Sequence, residues 1–264
     1  MAAKRWFITG ASSGFGRVLT EEALARGDRV AATARNPETL AELVARAPDR
    51  ICALRLDVTR ADEIRQAIDG AVAAFGGLDV LVNNAGFAVM GAIEEVSDAD
   101  TRLMFETHLF GAMAIIRAAL PHLRQQRSGL IINMSSIGGL VGYPGGGIYS
   151  ACKFALEGMS EALAGELRPL GIRVLLVEPG SFRTDFFTRS LKFSDPIADY
   201  GQTLRSSRNA DLSGLPDPAI VARAIADAAE RPDQPLRLMI GADAVEVATG
   251  KLRLLSEAIE AAQR

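Results

Sequence analysis

The sequence is poor in cysteine and carries no excess of basic charge. Two cysteines, Cys52 and Cys152, among 264 residues are too few for a disulfide framework, and they predict a reducing, cytoplasmic location. Cys152 stands beside Lys153 and could act as a reactive thiol, although a small buried helix residue is the simpler interpretation. The net charge of −3 argues against a nucleic-acid-binding surface.

Long hydrophobic runs are also missing. No apolar run approaches the roughly 18 residues of a membrane-spanning helix, so no membrane partner is expected. The first residues, MAAKRWFITG, lead directly into a predicted strand and leave no room for a signal peptide. Hydrophobic residues still make up 48% of the chain, which is enough for a large core. The length fits one domain spanning residues 1–264.

Short apolar runs alternate with longer helical patterns. The apolar runs predict strands at Arg5–Thr9, Arg29–Ala34, Ile51–Leu56, Val80–Asn83, Leu130–Met134, Ile172–Val177 and Arg237–Ile240. The helical patterns cover Gly14–Arg26, Pro37–Ala47, Arg60–Phe75, Asp98–Gln125, Tyr149–Leu170 and Pro218–Glu230. This alternation predicts an α/β fold: a single Rossmann-like, doubly wound parallel sheet of seven strands with helices on both faces.

Two segments break this rhythm. Asp185–Pro218 is polar and rich in turn signals, and it is predicted to be a mobile loop or lid beside the site. Ala242–Arg264 is predicted to be a helical extension, because its apolar residues are spaced for one helical face. Those residues are Val245, Leu252, Leu255 and Ile259.

Tyr149 and Lys153 lie four residues apart in a helix-compatible segment, which places them on one helical face. A free phenol titrates near ~10 and is a poor acid or base at neutral pH. A lysine ammonium one turn away favours the phenolate, so Lys153 is expected to lower the pKa of Tyr149. Alone, this spacing is common by chance, and a half-buried Tyr with a surface Lys is the alternative.

Gly10, Gly14 and Gly16 follow the first predicted strand and open the first predicted helix. Glycines let the backbone approach a pyrophosphate, and a helix N-terminus offers free N–H groups and a positive dipole. A glycine-rich turn alone is weak evidence. Its place between a strand and a helix predicts a dinucleotide site.

Five motifs occur together in one order and spacing. They are TGASSGFG at Thr9–Gly16, NNAG at Asn83–Gly86, Ser136, the pair Tyr149 and Lys153, and PGSFRT at Pro179–Thr184. Together they resemble the short-chain dehydrogenase/reductase family over roughly Lys4 to Thr184. The resemblance implies an enzyme that transfers a hydride between a nicotinamide cofactor and a small-molecule carbonyl or alcohol substrate.

The resemblance also implies a set of cofactor-binding residues. Arg35 stands after Ala34, where NAD enzymes of this fold usually carry Asp or Glu, and a guanidinium suits the 2′-phosphate of NADP(H). NADP is therefore predicted over NAD, unless Arg35 is a solvated residue at a helix entry and both cofactors are used. Asp57 resembles the aspartate that accepts from the adenine amino group, or it caps the next helix. The predicted set, with no metal, is Gly10, Ser12, Ser13, Gly14, Phe15, Gly16, Arg35, Asp57, Val58, Asn84, Ala85, Gly86, Tyr149, Lys153, Pro179, Gly180 and Thr184.

The resemblance assigns the catalytic roles as well. Tyr149 donates the proton, Ser136 orients the carbonyl oxygen, and Lys153 binds the nicotinamide ribose and tunes the phenol. Ser135 competes for the role of Ser136, but neighbouring side chains on a strand point opposite ways. His108 stands where the family has an Asn whose backbone carbonyl holds a water. The His108 backbone could do the same, its imidazole could join a proton relay, or the substitution could concern packing alone.

The substrate and the partners follow from the same resemblance. Asp185–Pro218 occupies the place of the substrate loop, and its apolar residues indicate a medium-to-large apolar carbonyl or alcohol. The predicted wall comprises Phe186, Phe187, Leu191, Phe193, Ile197 and Tyr200 with Phe87, Val89, Met90, Leu140, Val141 and Tyr143, about half of which would only pack the loop. Apolar faces at Asp98–Gln125 and Tyr149–Leu170 resemble the family's dimer interface and predict a homodimer or homotetramer. The alternative function is a cofactor-binding sensor or scaffold, against which the intact Ser136, Tyr149 and Lys153 argue.

Overall fold

The structure is a computed structural model that describes residues 3–204 and 213–263. Its strands in these residues are β1 (Arg5–Ile8), β2 (Arg29–Ala34), β3 (Ile51–Arg55), β4 (Val80–Asn83), β5 (Ala88–Met90), β6 (Gly129–Met134), β7 (Ile172–Pro179), β8 (Leu191–Phe193) and β9 (Arg237–Ile240). Seven of them form one sheet in the order β3-β2-β1-β4-β6-β7-β9, with all neighbours parallel. The predicted fold class is confirmed.

Helices cover both faces of this sheet. In the described ranges they are α1 (Gly14–Ala25), α2 (Ala41–Arg46), α3 (Ala61–Phe75), α4 (Asp98–Phe105), α5 (Ala112–Gln126), α6 (Gly147–Leu167), α7 (Ala219–Glu230) and α8 (Ala242–Ala262). On β1, Trp6 and Ile8 join the core beneath α1 and α7, whereas Phe7 joins the core beneath α3 and α5. The split follows from the alternation of side chains along a strand. Each such burial stabilises the fold by roughly 1.5–3 kcal/mol.

The sheet topology places one cleft at the carboxyl ends of the strands. Chain order reverses between β1 and β4, and open α/β sheets bind ligands at such a switch point. The loops that leave β1, β4, β6 and β7 all start at this edge. They carry Gly10, Asn84, Ser136 and Gly180, so four of the predicted motifs meet around a single cleft.

Two predicted helices differ in detail. The segment Pro37–Ala47 begins as a 3₁₀ turn at Pro37–Leu40 before α2, since Asn36 caps it and proline favours a first turn. Within Asp98–Gln125, residues Glu106–Gly111 form a π-helical turn between α4 and α5. Such turns insert one residue into a helix and frequently lie at functional sites. Hydrophobic periodicity does not reveal them.

Among the described residues, one helical stretch, 98–126, is long and apolar enough to cross a membrane by length and composition alone. Its mean hydropathy is 1.4. No such segment is expected from the sequence. Core helices of globular domains meet the same criterion, and Ile115 and Leu123 of this stretch are buried against the sheet.

A second sheet, absent from the prediction, ties down the segment predicted as a lid. Strands β5 and β8 pair in parallel, from Ala88 opposite Leu191 to Met90 opposite Phe193. The Ile197 amide donates to Glu95 at 2.8 Å, and the Tyr200 hydroxyl donates to Glu94 at 2.7 Å. Three-residue strands are too short to be recognised by periodicity. Residues 205–212 of the predicted lid lie outside the described residues, as does residue 264 of the predicted extension.

We expect the part of this segment from β8 onward, Leu191–Tyr200, to open locally when no ligand is bound. Its attachments include a three-residue strand pair, the bonds of Ser194 to the Met90 carbonyl and two exposed side-chain bonds, and such short, exposed elements open at low free energy. Amide hydrogen exchange should be faster in Leu191–Tyr200 than in Gly129–Met134, and it should slow when NADPH and a turned-over ketone are added. Equal protection of the two segments in the free protein would identify a rigid pocket wall.

Candidate active site

Helix α6 and strand β6 bring the three predicted catalytic side chains together. Tyr149 and Lys153 lie one turn apart near the start of α6, and both are buried. The Lys153 Nζ lies 5.7 Å from the centroid of the Tyr149 ring and donates to the Met134 carbonyl at 2.8 Å. That bond fixes the lysine against the end of β6, where Ser136 follows two residues later. The alternative of a surface lysine does not hold.

The two serines after β6 face opposite sides, as strand geometry requires. The Ser136 hydroxyl accepts from the Gly138 amide at 3.1 Å and hydrogen-bonds the Tyr149 phenol. The Ser135 hydroxyl lies beside Gly139 and Glu157. It has no hydrogen-bond partner among the described residues. Of the two serines, Ser136 therefore adjoins the phenol.

The charge states differ from the expectation drawn from the Tyr149–Lys153 spacing. Burial, with the nearby Tyr143 as a second cause, raises the pKa of Tyr149 above its ordinary value, and the Ser136 hydrogen bond only partly offsets this. Burial also lowers the pKa of Lys153 to about 8. The expected lowering of the phenol pKa is therefore wrong for the chain alone, because burial is the largest influence on this phenol. At neutral pH Tyr149 keeps the proton that a donor needs.

His108 lies in the π-helical turn with its ring edge toward Tyr149, at a centroid distance of 5.8 Å. Its Nε2 lies 2.6 Å from the Phe87 carbonyl oxygen, so we assign the proton to Nε2, which donates there. Burial, aided by the charge of Lys153, lowers the pKa of His108 to about 3. The imidazole is therefore neutral, which disfavours a relay through a charged ring. The relay through its backbone and the packing role both stay predictions.

A cavity of about 10 Å³ lies between the π-helical turn and Lys153. Thr107, His108 and Lys153 line it together with Thr9 and Asn83. This volume is about the least that holds one water molecule, and polar groups form part of its lining beside apolar residues such as Ile115 and Leu156. The chain thus has space for a water at the point where the lysine and the irregular turn meet.

Thr9 joins the glycine-rich turn to the loop after β4. Its hydroxyl accepts from the amides of Asn84, at 2.8 Å, and Ala85, at 2.9 Å. In return the Asn84 side chain donates to the Thr9 carbonyl at 2.8 Å. Asn84 therefore holds the turn in place, a role that the predicted cofactor contact did not include. Gly86 beyond it must lack a side chain, since a Cβ would lie 2.4 Å from the His108 ring.

The glycine turn fits the pyrophosphate of a dinucleotide. Gly10 (φ 66°) and Gly14 (φ 54°) adopt left-handed conformations, and a Cβ on Gly16 would lie 2.3 Å from the Gly10 carbonyl oxygen. A Cβ on Gly14 would meet only Thr184, at 3.9 Å, so open space separates these two sides of the cleft. Ser13 is the N-cap of α1 and makes no capping bond with its side chain. The helix N-terminus and this cradle suit an anion.

The glycine turn after β1 and the loop after β7 also touch each other across the cleft. Phe15 and Phe182 pack edge to face with ring centroids 6.0 Å apart. Pro179 ends β7 opposite Ile240, and the Gly180 amide donates to the Ile240 carbonyl at 2.9 Å. The segment predicted to hold the nicotinamide is thereby anchored to the sheet edge, on the side of the cleft opposite Arg35.

Arg35 and Asp57 lie near each other beyond the ends of β2 and β3. Asp57 accepts from the amide and the hydroxyl of Thr59, at 2.9 and 2.7 Å. Burial, the largest influence, acts to raise the pKa of Asp57, but the Thr59 bonds and the charges of Arg35 and Arg60 bring it below its usual range. Arg60, and not Asp57, is the N-cap of α3, so the helix-cap alternative is wrong. Val58 lines the small cavity.

A buried carboxylate pair beneath the site was missed by the sequence reasoning. One Arg237 nitrogen donates to both Glu157 and Glu178, and the other donates to Glu161 at 2.5 Å. Glu157 lies one turn after Lys153, and Glu178 directly precedes Pro179. The sequence shows Glu157 one helical turn after Lys153. The arginine that Glu157 and Glu178 share comes from β9, and this contact follows only from the fold.

Replacing Glu178 by Gln is expected to flatten the pH dependence of thermal stability. Burial, then the charge of Glu157, raises the pKa of Glu178 from 4.5 to about 7. Between those values the folded chain binds more protons than the unfolded chain, so this group makes stability fall as pH rises. Melting temperatures measured from pH 4.5 to 7 should fall less steeply in Glu178→Gln. Glu161→Gln, which changes an exposed carboxylate on the same arginine, should keep the wild-type slope; an unchanged slope in both would contradict the assignment.

Aromatic rings continue from the phenol toward the predicted substrate loop. Tyr149 and Phe186 have centroids 6.4 Å apart, and Phe187 packs edge to face on Phe186 at 5.7 Å. On the other side Phe87 stacks on His108 at 6.2 Å. The Tyr149 ring thus has Phe186 near it on one side and His108, backed by Phe87, on the other. That these rings form a substrate wall stays a prediction.

Comparison with known proteins gives consistent matches. The sequence profile described as short chain dehydrogenase matches residues 4–194. The oxidoreductase BOA17 of Botryotinia fuckeliana (strain B05.10) is 38% identical over 97% of this chain and 96% of its own length. A solved short-chain dehydrogenase from Streptomyces avermitilis has a TM-score of 0.93 at 45% identity, covering 98% of this chain and 96% of that one.

Two further solved structures contain a nicotinamide cofactor. One from Burkholderia phymatum, in complex with NAD, has a TM-score of 0.84 at 27% identity over 99% of this chain and 95% of that one. One from Burkholderia cenocepacia J2315, in complex with NADP, has a TM-score of 0.78 at 28% identity over 98% of this chain and 97% of that one. Proteins similar to this chain thus bind either cofactor.

Proposed function

Because the chain belongs to the short-chain dehydrogenase/reductase family and is an oxidoreductase, we propose that it interconverts a ketone or aldehyde and the corresponding alcohol with NADP(H). The observation that carries this proposal is the cluster of Ser136 with the buried Tyr149 and Lys153 at the carboxyl edge of the sheet. A nicotinamide cofactor would supply the hydride. Residues of this chain would donate the proton and orient the substrate.

In this mechanism Tyr149 gives its proton to the oxygen of the reduced carbonyl. Burial keeps the phenol protonated at neutral pH, and the Ser136 hydroxyl beside it holds the same oxygen by a hydrogen bond. Lys153 is pinned to the Met134 carbonyl, so its ammonium is held one turn below the phenol. The cavity beside His108 would hold the water that returns a proton through the lysine.

The preference for NADP(H) rests on the end of β2. The exposed Arg35 follows Ala34, and no carboxylate stands at that strand end to repel a 2′-phosphate. Arg35 lies close enough to Asp57 to lower its pKa, which supports a role for the guanidinium at the adenosine end of the cleft. The apolar rings around Tyr149 support a medium-to-large apolar substrate.

The protein is also proposed to be cytoplasmic and to form a homodimer through α4 and α6. Leu103 on α4, Phe110 in the π-helical turn after it and Phe154 on α6 leave 42–48% of their surface exposed. Aromatic and leucine side chains exposed together mark a contact surface. This surface agrees with the faces that the sequence analysis proposed.

A panel of ketones and secondary alcohols, offered with NADPH or NADP and followed by the absorbance of the reduced nicotinamide, tests this function. Turnover of apolar members with NADPH is the expected result. A protein that binds NADPH but turns over no member of the panel, and whose Tyr149→Phe variant binds NADPH equally well, would support the sensor or scaffold alternative. A panel converted only with NADH would contradict the cofactor assignment.

A further inference from the structure

The buried carboxylates around Arg237 carry more negative charge than one arginine can balance. The guanidinium is shared by three carboxylates, those of Glu157, Glu161 and Glu178. Even with a proton on Glu178, two carboxylates remain for one guanidinium. Glu157 is only 5% exposed, so water does little to compensate its charge, and an unbalanced buried charge is costly. A second cation is therefore expected beside Glu157.

Lys153 supplies that cation one turn earlier on α6. Residues four apart on a helix are neighbours, and both of these side chains are buried. The Lys153 ammonium donates to the Met134 carbonyl, and Ser135, the next residue, has its hydroxyl beside Glu157. One oxygen of Glu157 accepts from Arg237, whereas the other, Oε1, is buried without a hydrogen-bond partner among the described residues. The lysine and the carboxylate thus meet at the end of β6.

The other titratable groups beside Lys153 do not provide a negative charge near neutral pH. Burial lowers the pKa of Lys153 to about 8, and the charges of Cys152 and Glu157 act against it. Burial also raises the pKa of Cys152 to about 11, so this residue is a neutral thiol at pH 8. Tyr149 and His108 are neutral too, since burial raises the pKa of the phenol and lowers that of the imidazole. Among the described residues, Glu157 is therefore the negative group that acts on Lys153.

We propose that Glu157 is a positioning residue for Lys153: its buried carboxylate, anchored by Arg237, is the counter-charge that keeps the lysine an ammonium against the Met134 carbonyl. The carboxylate acts through the lysine and not on the substrate. Its effect on turnover rests on the proposed function, in which the ammonium holds the nicotinamide ribose and passes on a proton. The charge of the lysine can be measured without any reaction.

Carbon-13 NMR of labelled lysine side chains tests the proposal in the protein without cofactor. The chain has four lysines, Lys4, Lys153, Lys192 and Lys251. The Lys153 signal is the one that disappears in Lys153→Met. We expect Lys153 to titrate at about 8 in the wild type and at least about one pH unit lower in Glu157→Gln, because a neighbouring opposite charge moves a pKa by roughly 1–3 units. Glu161→Gln, which removes an exposed carboxylate from the same arginine, should keep the wild-type titration.

A Lys153 titration that moves no further in Glu157→Gln than in Glu161→Gln would overturn the proposal. A merely structural role of Glu157 beside Arg237 would lower the melting temperature and leave that titration in place. If Glu157→Gln does not fold, the double variant Lys153→Met/Glu157→Gln decides. Removal of both charges should restore folding, and a double variant that stays unfolded would assign Glu157 to Arg237 alone and overturn the proposal.

Turnover gives a second measurement that separates this inference from the proposed reaction. With a ketone that the wild type reduces, the loss of rate at alkaline pH should begin at lower pH in Glu157→Gln but not in Glu161→Gln. An unchanged alkaline profile in Glu157→Gln would contradict the role of its carboxylate. A protein that reduces no ketone would contradict the proposed function, and the lysine titration would still decide the role of Glu157.

Discussion

Replacing Tyr149 by Phe is expected to lower turnover by roughly 10²–10⁴-fold while NADPH affinity stays close to the wild-type value. The phenol oxygen beside Ser136 is the group placed to give a proton to the substrate, and burial keeps that proton in place at neutral pH. Phe retains the ring contacts with His108 and Phe186, so the pocket keeps its shape. Steady-state rates and NADPH titration by fluorescence measure the two effects separately.

Tyr143→Phe is the matched control, because Tyr143 is a second, half-buried phenol whose pKa is also raised by burial. It should keep most of the wild-type rate. Lys153→Met should differ from both, with weaker turnover and weaker cofactor binding together. A Tyr149→Phe variant that retains more than a tenth of the wild-type rate would show that another group gives the proton.

The fold was predictable because its signals are local and repeated. Each strand of the central sheet is a short apolar run, and near-complete burial of runs such as Val80–Asn83 is what a parallel sheet covered on both faces demands. The positions of Gly10, Ser136 and Lys153 around one cleft followed from the rule that ligands bind at the carboxyl edge of such sheets. Sequence spacing and sheet topology therefore agree on the site.

What was missed depends on contacts between distant segments. The strand pair Ala88–Met90 and Leu191–Phe193 is too short for a period to be seen, and the shared arginine of Glu157 and Glu178 comes from another strand. The pKa of Tyr149 was expected in the wrong direction, because spacing reports a neighbouring charge but not the depth of burial. Short-range pattern cannot carry such information.

Replacing Arg35 by Asp is expected to shift the cofactor preference from NADP toward NAD by at least about tenfold. The change removes a charge-assisted hydrogen bond worth roughly 1.5–3 kcal/mol and adds a carboxylate that repels the 2′-phosphate. The same carboxylate can accept from the ribose hydroxyls of NAD, so the two efficiencies should move in opposite directions. The ratio of kcat/KM for NADPH to kcat/KM for NADH measures the shift.

Arg231→Asp provides the control for this prediction. It makes the same change in net charge at an exposed position between α7 and β9, at the amino end of the sheet and away from the cleft. It should leave the cofactor ratio unchanged, which separates a contact at Arg35 from a general effect of charge on an anionic cofactor. If Arg35→Asp changes the ratio no more than Arg231→Asp does, Arg35 is a solvated residue at the end of β2. The choice between NADP and NAD would then lie with other groups at the adenosine end of the cleft, such as Asp57, which Thr59 already holds.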